Sequence, residues 1–171
     1  MSRDAFKTTQ YAIFLLGLLC TAILSQVAHA EAGPTARITP SGDAIELTYH
    51  GEDGTPAKEL IPITKFGDIS YFSTGIGSEE REAHYPPFPL KIILVAGDRA
   101  YLSHAAITIA VGEGVRLKIP AEEVTGPWLF IDLPPGSYKI SAARGDRRQE
   151  KEVRVRQHTT TTVYFRWPEN S

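Results

Sequence analysis

The densest group of titratable side chains comprises Glu79, Glu80, Glu82 and His84. On a short helix, Glu80 and His84 stand four residues apart on one face, where a carboxylate and an imidazole can bind a metal ion. No other histidine lies at His-x-His or His-x-x-x-His spacing, so further ligands would have to come from distant segments. Acidic residues are also typical of an exposed first helical turn, where the helix dipole favours them. We therefore predict a helix start and no metal.

The Gly75-Ile76-Gly77 run stands directly before this helix start. Backbone N–H groups at the first turn of a helix can bind an anion, but Glu79 and Glu80 would place negative charge beside it. Glycine is also required where the backbone is left-handed or closely approached. We interpret Gly75 and Gly77 as residues needed for backbone conformation.

Nucleophilic catalysis has no recognisable arrangement in this chain. The serines around the glycine run lack the Gly-x-Ser-x-Gly context of a nucleophile elbow; they are Ser73, Ser78 and Ser103. The predicted mature chain has four histidines, at His50, His84, His104 and His158. We predict that the protein is not an enzyme and has no cofactor, with a hydrolase or a metal-dependent activity as the least favoured alternative.

Aromatic side chains near the glycine run are candidates for a binding surface: Tyr71, Phe72, Tyr85 and Phe88 flank it, and Tyr101 follows the first predicted strand of the sandwich. Exposed aromatic rings stack on sugar rings or pack against the apolar surface of a partner. If they are buried, the same rings would pack the short helix against the domain. The predicted binding residues are Tyr71, Phe72, Gly75, Gly77, Glu79, Arg81 and Tyr85.

The first thirty residues have the composition of an export signal. Arg3 and Lys7 give a basic start, residues 11–25 are almost wholly apolar, and Ala28 and Ala30 are the small residues that a cleavage site needs. The apolar run is shorter than the roughly 20 residues of a membrane span. We predict a signal peptide over residues 1–30, cleavage after Ala30 and a periplasmic or secreted protein. An uncleaved N-terminal anchor is the alternative.

Charge and cysteine content limit what the predicted mature chain can bind. Without Arg3, Asp4 and Lys7, 16 basic and 19 acidic residues remain, a balance that disfavours a nucleic-acid partner, which requires a basic surface. The only cysteine, Cys20, lies within the signal, so the mature chain has no disulfide and depends on its core. No later apolar run is long enough to span a membrane.

The remainder of the chain has the pattern of antiparallel β-structure. From residue 88 onward, short alternating apolar runs are separated by turn residues such as Gly112-Glu113-Gly114. Connections of this length join antiparallel strands, because parallel strands need long crossovers. The sequence predicts an all-β protein with a single antiparallel seven-stranded β-sandwich over residues 69–171. One short helix precedes its first core strand, and residues 31–68 form an N-terminal arm or strand pair.

Residues 126–142 organise the predicted sandwich. Trp128 and Phe130 alternate with Leu129 and Ile131, which predicts a strand that is buried on both faces. A charged strand over residues 147–156 is typical of a solvated sheet edge.

A hard turn follows this strand. After Leu133, Pro134 and Pro135 restrict φ, and Gly136 tolerates positive φ. Tyr138 then begins an alternating strand, so we predict a strand, a tight turn and a second strand that together form a central pair.

The turn carries a family resemblance. Residues 133–142, Leu-Pro-Pro-Gly-Ser-Tyr-Lys-Ile-Ser-Ala, resemble the signature of carboxypeptidase regulatory-like domains, which are β-sandwiches of the prealbumin-like type. Small exported bacterial proteins with this domain have a Gly-Ile-Gly-x-x-Glu-Arg segment, similar to residues 75–81, and a Gly-Pro-Trp/Leu-Leu strand, similar to residues 126–129. The resemblance covers about residues 75–167 and implies a sandwich fold but no established activity. The hydrolytic branch of the fold ends in Tyr-Arg-Gly-Ser, which is absent here.

Together these features predict an exported, non-enzymatic module that binds a protein partner in the cell envelope. The expected contact surface is the segment of residues 75–85 with its neighbouring loops. A carbohydrate- or peptide-binding module is the alternative.

Overall fold

The computed structural model describes residues 33–98 and 100–168. The predicted signal peptide, its cleavage site after Ala30 and the alternative N-terminal anchor lie outside the described residues. Within those two ranges, no helix is long and apolar enough to cross a membrane.

Strands dominate the described residues. In chain order they are β1 (Thr35–Ile38), β2 (Ala44–His50), β3 (Pro56–Pro62), β4 (Thr64–Phe66), β5 (Ile69–Thr74), β6 (Leu90–Ala96), β7 (Ala100–Tyr101), β8 (Ala106–Val111), β9 (Gly114–Ile119), β10 (Trp128–Asp132), β11 (Gly136–Arg144), β12 (Arg147–Val155) and β13 (Thr161–Trp167). The α-helix α1 spans Ser78–Glu82, and a 3-10 helix spans Ala121–Glu123. The predicted all-β class with a short helix is confirmed.

The strands form three sheets, so the prediction of a single seven-stranded sandwich is wrong. One sheet has the order β1-β2-β3, a second the order β13-β6-β10-β5-β4 with β7 beside β6, and a third the order β12-β11-β8-β9. Residues 31–68, the predicted N-terminal arm or strand pair, contain β1, β2 and β3, which form a sheet of their own, and β4, which pairs with β5 in the six-stranded sheet. The helix α1 also follows a core strand instead of preceding the first one, because β5 buries Ile69, Tyr71 and Phe72.

The six-stranded sheet is buried on both faces. Its first core lies against the four-stranded sheet and includes Tyr71, Leu90, Ile92, Leu94, Ile107, Ile109, Leu117, Leu129, Ile131, Leu133, Tyr138, Ile140, Val153, Phe165 and Trp167. Its second core lies against the three-stranded sheet and consists of Ile45, Ile61, Phe72, Phe88, Ile93, Val95, Trp128 and Phe130. The described fold therefore stacks three β-layers around two cores.

Strand β10 shows how one sequence pattern serves both cores. Leu129 and Ile131 belong to the first core, whereas Trp128 and Phe130 belong to the second. Alternate side chains of a strand point to opposite faces, so an apolar run without polar interruption suits a strand between two layers. The predicted burial on both faces is confirmed.

The Pro134-Pro135 turn does not join a hairpin. Strand β10 pairs with β5 and β6, whereas β11 pairs with β8 and β12, so the turn carries the chain from the six-stranded to the four-stranded sheet. Gly136 has no positive φ, and a Cβ there would lie at an ordinary van der Waals distance of 3.4 Å from Cε2 of Tyr138, so neither the backbone nor this contact requires glycine. The Tyr138 hydroxyl donates to the Pro134 carbonyl at 2.7 Å. The prediction of a central pair was wrong because prolines fix a turn without fixing its strand partners.

The all-antiparallel prediction also fails at one position. Strands β6 and β13 pair in parallel, from Thr161 opposite Leu90 to Trp167 opposite Ala96. The chain between them builds the whole four-stranded sheet and β10, which supplies the long crossover that parallel pairing needs. Short turns in the sequence therefore predict antiparallel pairing only of the strands that they join, and not the pairing of β6 with β13.

Two local predictions are confirmed. Strand β12 is an edge of the four-stranded sheet, and its charged side chains, such as Arg148 and Glu150, are exposed. Strands β8 and β9 form a hairpin around Gly112 and Glu113, with Gly112 at φ +57°.

Candidate functional site

The predicted binding segment begins where β5 ends at Thr74. The next residue, Gly75, has φ +93°, and a Cβ there would lie 3.0 Å from Cγ of Trp128. Left-handed backbone and the indole ring therefore both require glycine. Gly126, on the neighbouring segment, leaves no room for a Cβ against the Thr74 carbonyl oxygen. The close approach of the Trp128 ring to Gly75 and of the Thr74 backbone to Gly126 thus explains two of the glycines in the motifs.

Glu80 holds this loop from inside. Its Oε2 accepts from Oγ1 of Thr74 at 2.5 Å and from the N–H of Gly75 at 2.7 Å, and its Oε1 accepts from the N–H of Gly77 at 3.2 Å. Burial acts to raise the pKa of Glu80, but these hydrogen bonds outweigh it and leave the pKa below its usual value. Glu80 is therefore an ionised, buried residue that satisfies the loop.

Arg81 binds the carbonyl side of the same loop. Its Nη1 donates to the carbonyl of Gly75 at 3.0 Å and to the carbonyl of Ile76. Glu80 accepts hydrogen bonds from N–H groups of the loop, and Arg81 donates hydrogen bonds to its C=O groups. Both ends of the loop's peptide dipoles are therefore bound. We call residues 75–77 the clamped loop.

The helix α1 starts as predicted, with a shift of one residue. Gly77 is the N-cap, and Ser78 is the first helical residue, with Glu79 and Glu80 in the first turn. The Ser78 hydroxyl instead donates to Oε2 of Glu79 at 3.0 Å. Glu80 takes over the capping role by turning back to the N–H of Gly77.

The predicted aromatic binding residues lie mainly inside the protein. Phe72 stacks on Phe130 with ring centroids 4.8 Å apart, and Tyr85 lies 5.6 Å from Phe72. Tyr71 faces the first core, and its hydroxyl donates to Glu123 at 2.5 Å. Tyr71 and Phe72 are buried and Tyr85 is half-buried, so these rings pack α1 and the loops onto the sheet.

A cleft of about 230 Å³ opens beside the clamped loop. Its lining residues are Gly75, Ile76, Arg81, Tyr101, Leu102, Ser103, Thr125 and Pro127. Ile76 is 65% exposed and Tyr101 is 50% exposed. The Arg81 guanidinium lies 5.6 Å from the centroid of the Tyr101 ring. Of the predicted binding residues, Gly75 and Arg81 reach this cleft.

Ile76 lies within the predicted contact segment of residues 75–85, and Tyr101 is among the candidate aromatic residues, but the predicted binding residues included neither. For Ile76, the available signal was its position between two glycines in a loop, because neighbouring glycines have no side chains that could cover it. Nothing in the sequence places Tyr101 next to Arg81, because β7 reaches that position only by pairing with β6.

Lys91 is a second charged residue in an unexpected setting. Its Nζ lies 3.2 Å from the centroid of the Trp128 ring and 5.0 Å from that of Phe130. Burial lowers its pKa to about 8, and it forms no ion pair with a described residue. The aromatic rings of the second core thus hold a cation at their margin.

The possible metal pair of Glu80 and His84 does not meet, because Glu80 is buried in its loop contacts and His84 is exposed. Over residues 33–98 and 100–168, no three His, Cys, Asp or Glu side chains are grouped closely enough to hold a metal ion. Ser103 and His104 do interact, with Oγ and Nδ1 at 2.7 Å, and His104 has φ +58°.

Comparison with known proteins places few limits on the function. No protein-family model matches the chain, and no curated protein matches it. Among solved structures, it is similar to the Bacillus anthracis TIE protein, with a TM-score of 0.38 and 13% identity over 82% of this chain. The match spans 39% of that protein.

Proposed function

We propose that this chain is an exported, non-enzymatic module that binds a protein partner in the cell envelope, and that the cleft beside the clamped loop is the contact surface. The observation that carries the proposal is the exposure of Ile76 (65%) and Tyr101 (50%) at this cleft. Covering exposed apolar surface with a partner is favourable, because it removes that surface from water.

The fixed position of Ile76 supports a binding role. Glu80 and Arg81 bind the peptide groups on either side of it, and Gly75 lies against Trp128. A residue that is already ordered loses little conformational entropy when it binds. An exposed isoleucine on a clamped loop is therefore a suitable anchor.

Two sequence features support the remaining parts of the proposal. The composition of residues 1–30 supports export. The Pro-Pro-Gly turn and the Gly-Ile-Gly segment support a relationship to carboxypeptidase regulatory-like domains, and this relationship rests on those motifs alone.

Site-specific photo-crosslinking in cells tests the proposed surface. A photoreactive residue is placed at Ile76 or at Tyr101, with Val115 as the control because it is 56% exposed and lies on the edge strand β9. We expect one envelope protein to be crosslinked from positions 76 and 101 and not from position 115. Crosslinking from all three positions alike, or from none, would overturn the proposed surface.

Carbohydrate binding has less support than protein binding. Tyr71 and Phe72 are buried, so Tyr101 would have to provide the stacking surface without them. A saccharide at a hundredfold excess over its dissociation constant should stabilise a true binder by about 2.7 kcal/mol. Thermal-shift measurements with a panel of envelope glycans would detect this.

A further inference from the structure

The Arg81 guanidinium has hydrogen-bond donors to spare, although Glu79, Glu80 and Glu82 lie beside it in the sequence. Its Nη1 binds two backbone carbonyls, which are neutral acceptors. No carboxylate among the described residues forms an ion pair with it. A guanidinium has five N–H donors, and its Nε and Nη2 atoms have no hydrogen-bond partner in the described part of the chain.

The surroundings of Arg81 suit an oriented, bidentate contact. The guanidinium lies 5.6 Å from the Tyr101 ring centroid, and the two carbonyls fix it from the loop side. An arginine that is held in this way is pre-organised to bind a carboxylate through two parallel N–H donors. Ser103 and Thr125 line the same cleft.

From this geometry we infer that the cleft recognises a carboxylate of its partner through Arg81, next to an apolar side chain that packs on Ile76 and Tyr101. The inference rests on the proposed function, because it names the chemistry of the partner at the same surface. The Arg81 guanidinium favours a carboxylate over a cation at this position.

A carboxylate of this kind has two sources in proteins: the C-terminus of a chain or the side chain of an aspartate or glutamate. Three short peptides distinguish them: N-acetyl-alanyl-leucine with a free C-terminus, its C-terminal amide, and N-acetyl-aspartyl-leucine amide. Each is titrated into the ¹⁵N-labelled protein and followed by NMR, up to about 20 mM because small ligands of this size bind in the millimolar range.

We expect the free acid to shift the backbone signals of Gly75, Ile76 and Tyr101 and to bind at least about tenfold more tightly than its amide, as a hydrogen bond to a charged group implies. Tight binding of the aspartyl peptide amide would assign the recognition to a side-chain carboxylate. Equal affinity for the acid and its amide, or no binding by any of the three peptides, would overturn the inference.

The variant Arg81→Gln removes the charge and keeps an N–H₂ group near the loop carbonyls. It should lose the preference for the free acid, whereas Arg154→Gln, which removes an exposed charge on β12, should retain it. If Arg81→Gln fails to fold, the comparison of acid with amide on the unmodified protein still decides the question.

The two proposals fail in different ways. If crosslinking from positions 76 and 101 identifies a partner that Arg81→Gln still captures as efficiently, the carboxylate inference is wrong and the proposed function stands. If no partner is crosslinked, the proposed function is wrong, even where the acid peptide binds.

Discussion

Glu80 shows how a buried carboxylate can determine the shape of a surface loop. It is 8% exposed, yet its oxygens accept from Thr74, Gly75 and Gly77. Donors of this number offset the cost of burying a charge. The acidic residues that follow the glycine run are therefore not equivalent, since Glu79 is half-buried and accepts from the Ser78 hydroxyl, whereas Glu80 is buried against the loop amides.

We predict that Glu80→Gln lowers the free energy of unfolding by about 1.5–3 kcal/mol at pH 7, the range for hydrogen bonds to a charged group. The pKa of Glu80 is lowered in the folded protein, so ionised Glu80 stabilises the fold above its unfolded pKa of about 4.5. This contribution is lost as the pH falls through the folded pKa. The difference between the two proteins should shrink below about pH 4.5, as measured by urea denaturation across pH.

Glu79→Gln is the matched control, because it removes the neighbouring charge without touching the loop amides. It should change the free energy of unfolding by less than about 0.5 kcal/mol, as is usual for surface substitutions. Equal effects of the two substitutions would mean that helix-start charge, and not the clamped loop, is responsible.

Lys91 gives a pH dependence of the same sign, in an alkaline window. Burial lowers its pKa from 10.5 to about 8, so between about pH 8 and 10.5 the unfolded state binds more protons than the folded state. Its contribution to stability therefore increases with pH over that window. We predict that wild-type stability, relative to Lys91→Met, rises between pH 8 and 9.5 in urea denaturation.

An NMR titration of the Lys91 side chain checks the cause of this effect. Burial disfavours the ammonium, whereas the Trp128 ring 3.2 Å away attracts it. A measured pKa near 10.5 would mean that the attraction to the ring cancels the cost of burial, and the predicted pH dependence would then be absent.

At the level of elements, the connection from β10 to β11 is the feature that separates two sheets. Pro134 and Pro135 lack N–H groups and cannot extend a strand ladder. Tyr138 then closes the turn through the hydrogen bond from its hydroxyl to the Pro134 carbonyl. The turn therefore directs the chain from one layer to the next.

We predict that Tyr138→Phe lowers the free energy of unfolding by about 0.5–1.5 kcal/mol, the usual net value of one hydrogen bond. Tyr164→Phe is the control, because Tyr164 is 49% exposed and has no hydroxyl hydrogen bond to a described residue. Urea denaturation of both variants measures the loss of unfolding free energy. Equal losses in the two variants would show that the Tyr138 hydroxyl does not stabilise this turn.

At the scale of the described fold, the two cores share one sheet. Strands β5, β6 and β10 contribute side chains to both cores, and no apolar layer can separate from them without exposing the central sheet. The first and second cores should therefore unfold together.

The two tryptophans provide one reporter for each core, with Trp167 in the first and Trp128 in the second. In Trp128→Phe and in Trp167→Phe, the remaining tryptophan should report the same shift of the urea midpoint when Ile45→Ala is added. This truncation of a fully buried isoleucine should cost about 2–5 kcal/mol. A shift seen by Trp128 alone would show that the three-stranded sheet unfolds independently.

The sequence by itself determined the local features of this protein. Alternation in β10, the Gly112 hairpin, the charged edge strand β12 and the helix start near Ser78 all follow from side-chain periodicity and turn chemistry. These features depend on residues that are neighbours along the chain. The same reasoning identified the glycine run as conformational, as Gly75 demonstrates with its φ of +93°.

The tertiary structure alone decided which strands meet. The parallel pairing of β6 with β13, the separation of β10 from β11 and the third sheet depend on contacts between residues that are distant along the chain. Apolar alternation shows that a face is buried but does not specify its partner. The cleft has the same origin, because Arg81, Tyr101 and Thr125 come from three separate segments that the packed sheets bring together.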